Sequence, residues 1–389
     1  MKFGKPALVA GASALLLAAC SDPGTKSAAK SPAAAVPTTP DISANVSAPV
    51  PEVQAGPVDV PLIVESMSPA AQPIDKADWT AEPVTPDAKR NALIRAEVLL
   101  ARAHFSPGVI DGQDGGNLKN AVGAFEAAHN LPVDGAMDAQ VWAALASDTR
   151  PALTDYTISA DDVKGPFVAK IPTDMAEMAK LDALSFTSPL EGLAEKFHMD
   201  EALLKKLNPG VDFGQAGTKI VVAALGPDKL PATVTRIEVD KGLRQIRAYG
   251  AKDLLLAVYP ATVGSTERPA PDGEWAVRTV APNPTYTYDP SRLTFGKASN
   301  GKLTIKAGPN NPVGGTWIDL TKDTYGIHGT PDPRLVGKTA SHGCVRLTNW
   351  DVRQLSQAVK AGTKVAFVGV EQPDAPKTAV KATPRKATG

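Results

Sequence analysis

Twelve of the 35 prolines in this 389-residue chain fall within residues 21–88, among Ala, Ser, Thr and Val, with no helical or alternating apolar period. Proline fixes φ and has no backbone N–H, so such a stretch suits neither a helix interior nor a central strand. Residues 21–88 are therefore expected to form a disordered, partly polyproline tether, reaching roughly 200 Å when stretched at about 3.1 Å per residue. The cores must then be built by the 301 residues from 89 onward, enough for two or three domains. Charge is balanced, 41 basic against 41 acidic residues, which removes any electrostatic argument for nucleic acid as a partner.

Residues 1–20 read as a secretory signal. Lys2 and Lys5 supply the positive start, and Ala7–Ala19 is a run of small and apolar residues too short for a comfortable transmembrane helix. The run ends Leu17-Ala18-Ala19-Cys20, which resembles the lipobox of bacterial lipoproteins. The resemblance implies cleavage before Cys20, lipidation of Cys20 as the first mature residue, and a periplasmic, membrane-anchored protein. Ser21 in the next position points to the outer membrane. With Cys20 acylated, Cys344 is the one free thiol and no structural disulfide can form.

From Lys89 the texture becomes helical. Leu93, Ala96, Leu100 and Ala103 keep helical spacing, as do Leu118, Val122 and Phe125, and Val141, Trp142 and Leu145 behind a possible N-cap at Asp138. Two similar turns separate them, Val109-Ile110-Asp111-Gly112 and Pro132-Val133-Asp134-Gly135. This three-helix unit, residues 89–148, resembles the peptidoglycan-binding domain found beside wall enzymes, which implies docking rather than catalysis.

Residues 154–226 begin with a possible strand at Tyr156-Thr157-Ile158. Ser188-Pro189-Leu190-Glu191 reads as a capping box leading the stripe Leu190, Leu193, Ala194 and Phe197. Asp200 caps a second helix carrying Leu203, Leu204 and Leu207, which stops at Asn208-Pro209-Gly210 before an apolar strand, Ile220–Ala224. The order resembles a LysM glycan-binding module, interrupted by residues 159–187, which are too long for that family's usual turn. His198 is expected to end a helix and to carry no chemistry.

From Ala232 strands dominate: Val234–Val239, Arg244–Ala248, Leu254–Tyr259, Trp275–Val280, Thr316–Leu320 and Tyr325–His328, separated by Gly, Pro, Asn and Asp turns. One helix follows, with Thr348 and Asp351 as a capping-box pair and Val352, Leu355 and Val359 as its buried stripe, before a last strand at Lys364–Val368. Residues 370–389, rich in Pro, Ala, Thr and Lys, are expected to be a disordered tail.

The chemistry concentrates in Tyr325–Leu347, YGIHGTPDPRLVGKTASHGCVRL, which holds Cys344 and two of the five histidines. A free thiol is only slightly ionised at neutral pH, so a cysteine nucleophile needs a base or a positive field beside it. His328, His342 and Arg346 each fit that need. His328 ends the expected strand Tyr325–His328 and Cys344 precedes the helix, so His328 can take the thiol proton while Cys344 attacks a carbonyl. The carbonyl of Gly329 can orient the His328 ring, and N–H groups at Gly343 and Cys344 are natural oxyanion donors. Three alternatives stay open: a buried structural cysteine, a zinc site built from the histidines and the thiol, and a scaffold that has lost its chemistry.

His328-Gly329, followed by Ser341-His342-Gly343-Cys344-Val345-Arg346, resembles the signature of the L,D-transpeptidase family with its YkuD-type catalytic domain. Asn311-Pro312-Val313-Gly314 and Pro271-Asp272-Gly273 also stand where that family has its NP-G and TP-G elements, with Ala270 in place of the usual Thr. The resemblance covers residues 232–369. It implies a multidomain α+β chain without cofactor or metal, in which a β-rich YkuD-like catalytic domain follows the helical unit and the LysM-like module. It further implies that Cys344 attacks the L-centre carbonyl of diaminopimelate in a tetrapeptide stem and expels D-Ala. The acyl group would pass to an amine of a second stem or of an outer-membrane protein. His328 is then base and acid, with His342 as its competitor, while His342, Arg346 and Ser341 face the substrate. Hydrolysis by an L,D-carboxypeptidase, or a non-catalytic wall-binding lipoprotein, are the alternatives.

Overall fold

The computed structural model describes residues 66, 68–264, 269–292, 301–339, 341 and 343–371. Cys20 and the signal, most of the expected tether, and nearly all of the tail lie outside these residues.

The tether expected over 21–88 gives way to packed chain from Ser68 onward, which corrects that boundary. Helix α1 (Gln72–Asp75) buries Ile74, and the Asp75 carboxylate accepts the amides of Ala152 (2.7 Å) and Leu153 (3.0 Å). Trp79 is buried in the core of the helices that follow. Each anchor touches a different core, so no period in the sequence reveals them.

Helix α2 (Pro86–Arg102) starts three residues before Lys89. Thr85 caps it, accepting from the Ala88 amide at 3.2 Å, and Pro86 takes the first turn, where its missing N–H costs nothing. Helices α3 (Gly116–Ala128) and α4 (Ala139–Leu145) complete the unit around Leu99, Leu100, Val122, Phe125 and Trp142. The two similar turns share one device. Glu97 accepts the amides of Asp111 (3.1 Å) and Gly112 (2.8 Å), and Glu126 those of Asp134 (3.0 Å) and Gly135 (2.8 Å).

The next segment is a two-stranded antiparallel ladder, β1 (Leu153–Thr157) with β2 (Lys219–Ala223), spanned by α5 (Ala160–Lys164), α6 (Met175–Met178), α7 (Pro189–Lys196) and α8 (Glu201–Leu207). Ser188 caps α7, accepting from the Glu191 amide at 3.2 Å, but the Glu191 carboxylate accepts from the amide of Thr187 (2.7 Å) rather than closing on Ser188. Residues 159–187 hold α5 and α6 and return through Leu184, which is fully buried against the following domain. There the Leu184 amide donates to the Ala307 carbonyl (2.9 Å) and the Asn310 amide to the Leu184 carbonyl (2.9 Å).

The last domain is a nine-stranded sheet of order β5-β4-β3-β13-β7-β10-β11-β12-β6. Its strands are β3 (Arg236–Asp240), β4 (Gln245–Tyr249), β5 (Leu255–Pro260), β6 (Thr262–Val263), β7 (Gly273–Pro282), β10 (Thr316–Leu320), β11 (Gly326–His328), β12 (Val345–Arg346) and β13 (Lys364–Val368). A separate ladder joins β8 (Tyr286–Tyr288) to β9 (Leu303–Ile305). Strands β6, β8, β9 and β12 escape sequence reading because two or three residues cannot display an alternation. Strand β7 runs to ten residues because it serves two neighbours, pairing first with β13 and then with β10.

Helix α9 (Asn349–Ala358) is held by the helical unit, the two-stranded module and the segment that follows it. Trp350 stacks on His198 (4.9 Å between centroids, 10° between planes), Arg353 pairs with Asp228 (3.2 Å), and the Ser106 hydroxyl donates to the Asp351 carboxylate (3.1 Å). Thr348 caps the helix through the Asp351 amide (3.1 Å), but the carboxylate is turned to Ser106. Burial holds the Asp351 carboxyl up to about 7, against the hydrogen bonds from Thr348 and Ser106. The folded chain therefore keeps this proton where the unfolded chain, near 3.9, has lost it, and stability falls as pH rises from about 4 to about 7. Asp351→Asn is expected to raise the melting temperature, by more at pH 8 than at pH 4. Thermal melts at the two pH values check this; an equal shift at both contradicts it.

Candidate active site

The parallel pairing of β11 with β12 builds the site. Ile327 lies opposite Val345 and His328 opposite Arg346, so the loop that closes this crossover delivers Cys344 to the strand ends immediately before β12. The Asn311-Pro312-Val313-Gly314 turn packs beneath. Gly314 adopts φ +65°, and a Cβ there would lie 2.5 Å from the Gly329 carbonyl carbon, so only glycine lets the two turns meet.

His328 is 4% exposed. Its Nδ1 lies 2.7 Å from the Gly329 carbonyl oxygen, which can only accept, so Nδ1 carries the proton and Nε2 keeps a free lone pair. The ring stacks on Trp317 (5.4 Å, 16°), its cross-strand partner on β10, and Trp317 is itself a core residue. Burial, with the Arg346 guanidinium adding to it, pushes the His328 pKa down to about 3 despite the Gly329 carbonyl. The imidazole is neutral across the physiological range.

Cys344 is half-buried against an apolar cluster that includes Leu184, Tyr286, Tyr288, Val313 and Trp317. Its sulfur lies 3.7 Å from the Thr324 carbonyl oxygen. Burial pushes the thiol up and outweighs the Gly326 backbone and Arg346, which favour the thiolate. At rest the Cys344 thiol and the His328 imidazole are therefore both neutral. Arg346 is held below its usual range by burial, while Cys344 and Tyr286 favour its charge. Among the described residues no carboxylate forms an ion pair with it, and its positive charge favours the Cys344 thiolate.

Two of the sequence-derived site residues are engaged within the loop itself. Ser341 is 2% exposed and braces the loop, donating to the Cys344 carbonyl at 2.6 Å and accepting from the Gly343 amide at 3.2 Å. That same bond occupies the Gly343 N–H, which is thus not a free oxyanion donor at rest. Gly343 is required instead by its φ of +114° beside the Tyr325 ring. His342 lies outside the described residues. Sequence reading passed over Tyr286 and Tyr288, whose three-residue strand is too short to display an alternation, and Asn349, which left no local signal either.

Residues 234–366 match the L,D-transpeptidase catalytic domain of the YkuD type, and residues 89–145 match a peptidoglycan-binding domain. The chain is 33% identical over 181 residues to the L,D-transpeptidase YkuD of Bacillus licheniformis, covering 46% of this chain and 92% of that protein. The chain belongs to the L,D-transpeptidase family. Its enzymatic character follows from that membership. This transpeptidase is also 30% identical over 191 residues to the L,D-transpeptidase YbiS of Escherichia coli, covering 47% of this chain and 60% of that one. A solved L,D-transpeptidase from Mycobacterium smegmatis aligns at 18% identity over 39% of this chain and 64% of that one, with a TM-score of 0.29.

Proposed function

We propose that Cys344 and His328 transfer the acyl group of a peptidoglycan tetrapeptide stem to an amine. Nε2 of His328 takes the thiol proton as Sγ of Cys344 attacks the carbonyl at the L-centre of diaminopimelate. The tetrahedral intermediate collapses, His328 returns the proton to the leaving D-Ala nitrogen, and a thioester to Cys344 remains. An acceptor amine then attacks the thioester, gives its proton to His328, and leaves as the new amide while the thiol is restored. Arg346 stabilises the negative charge that develops beside the sulfur. The observation that carries this reading is the His328 ring, fixed by Gly329 in the tautomer that leaves Nε2 basic.

The apolar cluster around Cys344 favours transfer over hydrolysis, since it limits water at the thioester. The helical unit is read as docking on the wall, and the two-stranded module as LysM-like. The Leu17–Cys20 motif is read as a lipid anchor holding the enzyme on the periplasmic side of the outer membrane. An outer-membrane protein then becomes an acceptor alternative to a second stem. Incubating the purified protein with disaccharide tetrapeptide and separating products by mass is expected to give cross-linked dimers with one D-Ala released per dimer. Tripeptide alone would overturn transfer in favour of the carboxypeptidase.

A further inference from the structure

Asn349 opens helix α9, a few residues after the nucleophile, and its carboxamide joins three parts of the chain. Its Nδ2 donates to Glu195 Oε2 (3.0 Å), Glu195 Oε1 (3.2 Å) and the Pro309 carbonyl (3.2 Å). Its Oδ1 accepts from the amides of Gly315 (3.2 Å) and Thr330 (3.2 Å). Acceptors surround one end of the amide and donors the other, so this network determines which atom is nitrogen.

The Oδ1 end reaches the general base. Gly329, whose carbonyl holds His328 Nδ1 at 2.7 Å, has its Cα packed on that oxygen so closely that a Cβ would lie 2.1 Å from it. A Cβ on Gly314 would lie 2.3 Å from the same atom. The Gly329 peptide is thus held on one side by the Asn349 oxygen, through Thr330, and on the other by the NP-G turn. The Nδ2 end reaches a different module. Glu195 lies on α7, in the two-stranded unit before the catalytic sheet, 154 residues away in sequence.

We propose that Asn349 is a positioning residue for His328, and that Glu195 fixes Asn349, so that the preceding module completes the catalytic domain's base. The proposal rests on His328 being that base. It gives the module a role in catalysis, distinct from binding glycan, and means the sheet domain lacks one clamp of its base without α7. The effect travels by geometry: if the amide rotates, the Thr330 and Gly329 peptides lose their fixed acceptor, the Gly329 carbonyl shifts, and Nδ1 is no longer held as the protonated nitrogen.

The test uses the full chain and reads the rate at which a carbapenem acylates Cys344, by intact mass, together with the 15N shifts of the His328 ring. Asn349→Asp keeps the volume but sets an acceptor against Glu195 and Pro309. Asn349→Asp and Glu195→Ala are each expected to slow saturated acylation by about tenfold or more, with the half-saturating carbapenem concentration within about threefold of wild type. In both, the His328 shifts move from the Nδ1-protonated pattern toward a tautomer average. Glu195→Gln, which still offers an acceptor to Nδ2, is expected to recover most of the loss. Should Asn349→Asp fail to fold, Glu195→Ala decides alone. Acylation within about twofold of wild type and unaltered His328 shifts in the folded variants would overturn the proposal. His328→Gln separates the two readings: if it abolishes acylation while Glu195→Ala does not change it, the base stands and the clamp falls. If His328→Gln acylates normally, the base reading itself is wrong.

Discussion

Cys344→Ala is expected to leave a folded protein that never gains the mass of a carbapenem and forms no cross-linked dimer. Removing an enzyme's covalent nucleophile costs on the order of 10⁵-fold or more in turnover, because the remaining groups have nothing to activate. The fold should hardly notice. Cys344 is half-buried, and losing one sulfur from such a site costs about 1 kcal/mol, a few degrees of melting temperature at most. Intact-mass measurement beside a thermal melt checks both halves. An adduct on the alanine variant would mean that another group is acylated, and would remove Cys344 from the mechanism.

His328→Gln is expected to slow acylation of Cys344 by roughly 10²- to 10⁴-fold, the usual worth of a positioned general base, with little change in half-saturation. The pH dependence sharpens this. Burial raises the Cys344 thiol and lowers His328 to about 3, so the free enzyme holds neutral partners from acidic pH to well above neutrality. Alkylation of Cys344 by iodoacetamide should therefore keep climbing with pH through and beyond the ordinary thiol range, with no plateau at pH 5–6. A thiolate–imidazolium pair would give that plateau, and observing it would refute the neutral pair. His328 also bears on stability. The unfolded chain binds its proton near 6.5 and the folded chain only near 3, so stability is lost as pH falls through that window. His198, likewise lowered to about 3 by burial, acts in the same direction, and Asp351 opposes both. In His328→Gln one of the two losses disappears, so the melting temperature should fall less steeply between pH 6.5 and pH 4 than in the wild type.

The helices and the longer strands were legible because each carries its own period: the stripe of Leu118, Val122 and Phe125 or the alternation in Val234–Val239 reports which face is buried from residues at most four apart. The candidate nucleophile and base were legible because a single loop carries both, and because the order from His328 to Arg346 follows a family signature. The Gly329 carbonyl as the anchor of His328 was legible for the same reason, being the adjacent residue. By itself, then, the sequence determined the α+β class, the kinship and the choice of Cys344 and His328 as candidates for the chemistry. Only the tertiary structure decided what depends on partners far along the chain. Ser341 became a brace, and Gly343 a turn residue with positive φ, because the loop turns back on itself. Residues 68–79 became packed chain because Ile74, Asp75 and Trp79 find separate partners. Residues 159–187, an unexplained excess in the sequence, became part of the apolar cluster around Cys344 through Leu184. Asn349 acquired its place from Glu195, 154 positions away, and Asp351 from Ser106, 245 positions away. A hydrogen bond across such a separation leaves no local pattern, since neither partner constrains the residues beside it until the chain has folded.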